Sequence, residues 1–243
     1  MRPIQLTDGY KPDHAKESED VWVRRVLGIE QGPEVWLTEL SHKSAVVTMA
    51  GMRHTITLPR TRLIALRAWV LNVLNERPEN GRVGGAIAVM LRSPQLEVEL
   101  ICQQKDDQHP TEACRGRYCL FGGSGHEGET IEETILREFY EEIRDVGLAD
   151  MLASKMIIKG LHRLPSVQWE GEYQAAFGVA LTSDTEEFAH WRERLLSPGV
   201  FSESNPAHLK GVDLFRKIVE ERRQPGYWFV GSHHTLIADI LGF

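Results

Sequence analysis

The chain of 243 residues is 42% hydrophobic and 26% charged, with a formal charge of -7. That length supports a buried core and lies between one large domain and two small ones, while the acidic balance argues against a nucleic-acid binder and leaves room for a phosphorylated small molecule held through divalent cations. No stretch approaches the roughly 18 uninterrupted apolar residues of a membrane span. Met1 to Glu17 is polar, without the apolar run of a signal peptide, and Cys102, Cys114 and Cys119 form no C-x-x-C pair. A cytoplasmic protein in a reduced compartment, with no membrane contact and no structural zinc, is therefore expected.

After the polar lead, four short runs have β character: Val21 to Leu27, Val35 to Leu40, Ala45 to Met49 and Thr55 to Leu58, separated by glycine or polar turns. They predict an antiparallel sheet. Pro59 opens a helical stretch in which Leu63, Leu66, Val70, Val73 and Leu74 recur on one face, which should cover the sheet or a partner chain as in a homodimer. Pro78 stops it, and the linker-like "PENGRVGG" places a domain boundary near Val83.

Beyond that boundary, "GAIAVML", "EVELICQQ" and "YCLF" read as strands, with a polar loop from Lys105 to Arg117 before the third. A helix from about Thr130 to at least Ile143 follows. "KMIIKGLHRL" and "EYQAAFGVALT" read as a hairpin joined by "PSVQWEG". Ser183 and Glu186 form a capping-box pattern for a helix to Leu196, and a second amphipathic helix is expected over Ala207 to Arg223. "HTLIADIL" offers a short third one, with His233-His234 as surface or helix start.

The chemistry concentrates in "CLFGGSGHEGETIEETILREFYEEI", Cys119 to Ile143. Between "YCLF" and the helix lies "GGSGHEGE", a glycine-rich turn whose small residues let backbone groups approach an ion or phosphate closely. In the helix behind it, Ile135, Leu136, Phe139 and Ile143 form one apolar side, so the helix is docked and its orientation fixed. Glu138, Glu141 and Glu142 stand at i, i+3 and i+4 and so share one patch at the flank of that stripe, where like charges repel. A solvated acidic face, relieved by Arg137 and Arg144 at neighbouring positions, is the plain explanation; a divalent cation, which prefers clustered carboxylate oxygens, is the chemical one.

The spacing favours the second. Gly123, five residues, Glu129, seven residues, then Arg137-Glu138-Phe139-x-Glu141-Glu142 resembles the box of the Nudix hydrolases, G-x5-E-x7-R-E-U-x-E-E-x-G-U, with U apolar. Six such identities arise by chance in a chain of this length at a rate on the order of 10⁻⁴. The resemblance implies a Nudix-type mixed-sheet α/β/α sandwich over residues 83–243, carrying the C-terminal helices; with the small antiparallel sheet plus helix domain of unknown role read over residues 1–82, an α+β protein is expected. The resemblance also implies a metal-dependent hydrolase acting on a nucleoside diphosphate linked to another group, with Mg²⁺ or Mn²⁺ held by Glu138, Glu141, Glu142 and the carbonyl of Gly123. Arg137 would orient a box carboxylate, and Glu129 would brace the loop or reach the metal through water. The box departs from the pattern after Ile143, where Arg144 and Asp145 stand in place of glycine and an apolar residue; the helix would then run a further turn to cap at Gly147. Phe121 stands where the family often has proline.

Substrate choice lies outside the box. Trp169 and Tyr173, beside the hairpin turn, could stack a base or simply pack, and His126 could contact a phosphate or be a variable loop position. The general base is Glu138 or, outside the box, Glu172. A Nudix-fold sensor that binds a nucleotide-like ligand with little turnover is the alternative to the hydrolase; the full set of mutually repelling carboxylates favours catalysis.

Overall fold

In the computed structural model, residues 1–6, 19–29, 32, 34–74, 84–87, 89–92, 97–125, 128–155, 161–165, 172–176, 185–202, 204–231 and 233–242 are described. The N-terminal sheet is antiparallel, in the order β1 (Ile4–Leu6), β2 (Val35–Leu40), β3 (Ser44–Met49), β4 (Met52–Thr57). One run expected to be a strand is a helix: Val21 to Leu27 belongs to α1 (Glu19–Leu27). Its buried residues Trp22, Val23, Val26 and Leu27 fall at i, i+1, i+4 and i+5, a helical stripe that suits packing against a neighbour better than the alternation of a half-buried strand. Its place in the sheet is taken by β1, whose Ile4 and Leu6 pair with Leu37 and Val35.

The long helix α2 (Arg60–Leu74) buries Leu63, Leu66 and Val70, as its periodicity predicts, whereas Val73 is 38% exposed. Helix α3 (Ile131–Glu142) packs on it most extensively, with α1 and α4 also against it, and those three residues are buried within the single chain. The expected boundary near Val83 lies outside the described residues. Across it runs one continuous apolar core: Trp22, Val26, Leu37, Leu66 and Trp69 share a cluster with Ile101, Phe121, Leu136, Phe139 and Ile143. Polar contacts tie the same surfaces. Tyr140, on α3, donates its hydroxyl to Asp150 Oδ1 at 2.8 Å and lies 2.7 Å from the Thr61 hydroxyl on α2. Arg62 Nε donates to the same Asp150 oxygen at 2.8 Å.

The C-terminal part is built on β12 (Asn205–Lys210), β7 (Val98–Gln104) and β6 (Val89–Arg92), with β8 (Tyr118–Cys119) on the end of β7. A second pairing joins β5 (Gly84–Ile87) antiparallel to β9 (Phe121–Ser124). "GAIAVML" is thus split between two pairings. β7 faces two cores: Leu100 and Cys102 enter a cluster with α6 (Gly211–Arg223) and α7 (His233–Leu241), while Ile101 enters the larger core with α3. Helices therefore lie on both sides of a sheet, the mixed α+β layering expected. α4 (Val146–Lys155) and α5 (Thr185–Leu195) complete the larger core through residues such as Leu152 and Trp191. The hairpin is formed by β10 (Leu161–Pro165) and β11 (Glu172–Ala176), whose backbone runs alongside β5 and against α3. Ser183, the expected cap of α5, lies outside the described residues.

One further expectation is corrected. The helix foreseen from Ala207 begins only at Gly211, because residues 205–210 pair along all of β12 with β7 and bury Ala207 and Leu209 by strand alternation. Gly211, at φ +48°, makes the change of direction. His233 is the helix start foreseen and is half-buried: its Nδ1 accepts the Leu120 amide at 3.0 Å, and burial pushes its pKa down to about 4.

If one core spans both parts, Leu66→Ala should lower stability by about 2–5 kcal/mol, the usual range for a buried leucine, and urea unfolding should remain one transition by both fluorescence and circular dichroism. Two resolved transitions would contradict a shared core.

Candidate active site

The acidic helix is held in place by ordinary local chemistry. Thr130 is its N-cap, with its side chain accepting from the Glu133 amide and the Glu133 carboxylate accepting from the Thr130 amide. Ile135, Leu136, Phe139 and Ile143 are all buried, as their spacing predicts, and Phe139 meets Phe121 of β9 edge to face at 5.7 Å. The helix does not continue to Gly147. It ends at Glu142, with Ile143 extended and bridged to Phe201, and Asp145 then accepts from the Leu148 amide to start α4. Asp145, foreign to the box pattern, thus caps the start of the next helix.

The centre of the site is a guanidinium. Arg137 Nε donates to Glu129 Oε1 at 2.8 Å and Nη2 to Glu129 Oε2 at 3.2 Å, a two-point contact in which the side chains are 3% and 0% exposed. Thr134 Oγ1 donates to the same carboxylate at 2.8 Å. Arg137 Nη1 then reaches Glu138 Oε1 at 2.9 Å and both Glu141 oxygens at 3.3 Å, carboxylates that are 15% and 27% exposed. Burial opposes the charge on Arg137, but Glu138, Glu141 and Glu129 together outweigh it and raise its pKa, so the guanidinium stays protonated.

Glu142 differs from the solvated carboxylate its sequence position suggests. It is buried, and its Oε2 accepts the Gly122 amide at 2.7 Å. Gly122 and Gly123 differ in what glycine does there. Gly122 has φ +138°, a backbone state that side chains disfavour. At Gly123 a Cβ would lie 2.5 Å from the carboxyl carbon of Glu138, so a side chain there would push that carboxylate out of its present position against β9. Both lie in a strand and not in a loop, contrary to the reading of "GGSGHEGE" as one turn.

The structure therefore brings Gly123, Glu129, Arg137, Glu138, Glu141 and Glu142 together at the junction of β9 and α3. Glu172 and Tyr173 lie on β11, opposite Pro165 and Leu164, in a strand whose backbone neighbours β5 and α3. Trp169 and His126 lie outside the described residues. Sequence reasoning missed Gly122 and Thr134 as supports; Thr134, five residues after Glu129 on the buried side of the helix, is the one its periodicity could have indicated.

A NUDIX-domain family model matches residues 82–212. The chain belongs to the NUDIX family. No curated protein matches it by sequence. Among solved structures, it is similar to a bifunctional NMN adenylyltransferase/ADP ribose pyrophosphatase from Francisella tularensis, at 15% identity and a TM-score of 0.41, over 75% of this chain and 46% of that one. The chain thus spans less than half the length of that enzyme. It is also similar to the Nudix hydrolase RenU from M. smegmatis, at 11% identity and a TM-score of 0.41, over 67% of this chain and 88% of that one. A third is the NUDIX domain of Shewanella oneidensis NrtR complexed with ADP ribose, at 15% identity and a TM-score of 0.36, over 71% of this chain and 96% of that one. NUDIX proteins as a class are hydrolases of nucleoside diphosphate derivatives. Among the described residues of this chain no helix is long and apolar enough to cross a membrane.

Divalent metals are general in this family, and the donor types suit them, since Mg²⁺ and Mn²⁺ take carboxylate, carbonyl and water oxygens. The gap that Gly123 leaves beside Glu138 also fits a carboxylate that must stay close to backbone carbonyls. Among the described residues, no three His, Cys, Asp or Glu side chains converge on one ion position. Glu129, Glu138 and Glu141 are gathered on Arg137 instead.

Gly123→Ala should displace Glu138 from β9 while leaving the helix caps intact. The expected result is a fall in turnover of at least ten-fold with an unchanged circular-dichroism spectrum, on the scale that an ångström of misplacement produces; wild-type turnover would show that the close approach is immaterial.

Proposed function

We propose that this protein is an Mg²⁺- or Mn²⁺-dependent hydrolase that cleaves a pyrophosphate bond in a nucleoside diphosphate linked to another group: a nucleotide sugar, a dinucleotide or a nucleotide. The observation that supports this most is the gathering of Glu129, Glu138 and Glu141 about the buried Arg137, with the Glu138 carboxylate lying where a side chain on Gly123 would displace it. A surface built only for solubility has no need of a buried two-point ion pair beneath it.

In this reading Glu138, Glu141 and Glu142, with the carbonyl of Gly123, hold the metal, which when bound would acidify a coordinated water and offset charge on the phosphoryl oxygens. Arg137 keeps the carboxylates at fixed separations, and Glu129 fixes Arg137. Glu138 is the box candidate for taking the proton of the attacking water; Glu172, on β11, is the candidate outside it. Trp169 and Tyr173 would stack the base and His126 would contact a phosphate. Residues 1–82 form a sheet and helix unit and residues 83–243 the hydrolase domain, acting in a reduced cytoplasmic setting. One observation favours a weakly active sensor of a nucleotide-like ligand instead: Glu138 and Glu141 are already hydrogen-bonded to Arg137, and a metal would have to compete for them.

The test is incubation with ADP-ribose, dinucleotides, nucleotide sugars and nucleoside triphosphates, with and without Mn²⁺ or Mg²⁺. Hydrolysis of one class should vanish in EDTA, return with metal and survive joint replacement of Cys102, Cys114 and Cys119 by serine, per folded molecule. In ¹⁸O water one label should enter a phosphate-containing product. Turnover undiminished in EDTA, or label only in a product without phosphate, would overturn the reading; binding without turnover would favour the sensor.

A further inference from the structure

The end of the acidic helix poses an electrostatic problem that its own last turn does not solve. Helix C-termini carry partial negative charge and unsatisfied carbonyls, and Lys or Arg in the last turn ordinarily offsets both. The last turn of α3 has no basic residue and instead carries Glu141 and Glu142. Two carboxylates thus sit where the helix dipole disfavours them.

The positive charge comes from elsewhere in the chain. Arg25 of α1, more than a hundred residues away in sequence, donates Nη2 to the Tyr140 carbonyl at 3.0 Å and Nη1 to the carbonyls of Ile143 and Arg144 at 2.8 and 2.7 Å. One guanidinium spans the last turn and the exit of the helix. Arg25 is itself held rigidly, because α1 is locked on three sides. Trp22, Val23, Val26 and Leu27 are buried in the shared core, Arg24 Nη2 donates to the Leu6 carbonyl at 2.7 Å, and Arg62 Nη1 donates to the Val26 carbonyl at 3.0 Å while its Nε holds Asp150. On the opposite side of the same turn, the Ser202 amide donates to the Glu142 carbonyl at 2.9 Å and the Arg144 amide to the Val200 carbonyl at 2.9 Å.

We propose that Arg25 is a positioning residue for the reaction: the N-terminal unit, through this one guanidinium, clamps the turn of α3 that carries Glu138, Glu141 and Glu142 and so fixes the spacing of the carboxylates. The proposal rests on the hydrolase reading for its catalytic consequence, but the clamp itself is independent of it. It gives residues 1–82 a role in catalysis without contact with substrate. A lysine in place of Arg25 keeps the charge, yet a single ammonium cannot span carbonyls at both ends of the turn as the planar fork does.

The test uses the full chain with Arg25→Met and Arg25→Lys, read by hydrogen–deuterium exchange, by Mn²⁺ calorimetry and by steady-state kinetics. In Arg25→Met, amides at the end of α3 should exchange about ten-fold faster, Mn²⁺ affinity should weaken about ten-fold, and kcat should fall about 10- to 100-fold at unchanged KM, the range for small misplacement of reacting groups. Arg25→Lys should lie between it and wild type, and carries the test if the methionine variant does not fold. Wild-type exchange in a folded variant, or faster exchange with wild-type Mn²⁺ affinity and kcat, would overturn the proposal. A wild-type protein that binds Mn²⁺ but hydrolyses nothing would overturn the hydrolase reading alone, leaving exchange and Mn²⁺ affinity to decide for Arg25; one that binds no Mn²⁺ overturns both.

Discussion

The structure depends on how a short helix tolerates carboxylates crowded on one side. At an effective dielectric near 20, two like charges about 4 Å apart cost about 4 kcal/mol, a large fraction of what holds a domain folded. Arg137 resolves this by serving Glu129, Glu138 and Glu141 at once. The arrangement is graded by burial. Glu129 is sealed beneath and gives the guanidinium a fixed seat, whereas Glu138 and Glu141 stand at the rim, where an ion or a phosphate can reach them. Removing Arg137 would leave a fully buried carboxylate without its cation, which is among the more costly defects a core can have.

From that constraint follows much of the surrounding architecture. The helix must lie against β9 closely enough for Glu138 to meet Gly123 and for Glu142 to take the Gly122 amide, and this distance is set by the edge-to-face contacts of Phe121 with Phe139 and with Phe201. It must also end at Glu142, which the Ile143–Phe201 bridge and the start of α4 enforce. Its far side is covered by α2, so the N-terminal sheet and helices form part of the support of the acidic patch. Packing, and not the acidic residues themselves, decides where the carboxylates point.

The helix and its patch were legible in the sequence because several independent signals agree there: the spacing of Gly123, Glu129 and Arg137, an apolar stripe ending at Ile143, and carboxylates at i, i+3 and i+4. The first helix was not, since "VWVRRVL" is rich in β-branched and aromatic residues and its helical stripe competes with that local preference; burial against α2 and α3 decided it. The strand at residues 205–210 was hidden for the converse reason. Its alternation is short and runs directly into a strongly amphipathic helix, so the two read as one element. At the site, the box spacing identified which residues meet, but not which of them would be buried. Nothing in the sequence near Glu142 announces that Gly122 donates to it, and nothing near Tyr140 points to Arg25, because each contact pairs a side chain with a backbone group brought near it only by the tertiary fold.

Diffraction at the manganese edge from crystals of the protein grown with Mn²⁺ addresses the central claim most directly, since it locates the ion without relying on turnover. The expected result is an anomalous peak bounded by Glu138, Glu141, Glu142 and the carbonyl of Gly123, with Arg137 still seated on Glu129. A peak elsewhere, or none at a saturating concentration of Mn²⁺, would contradict it.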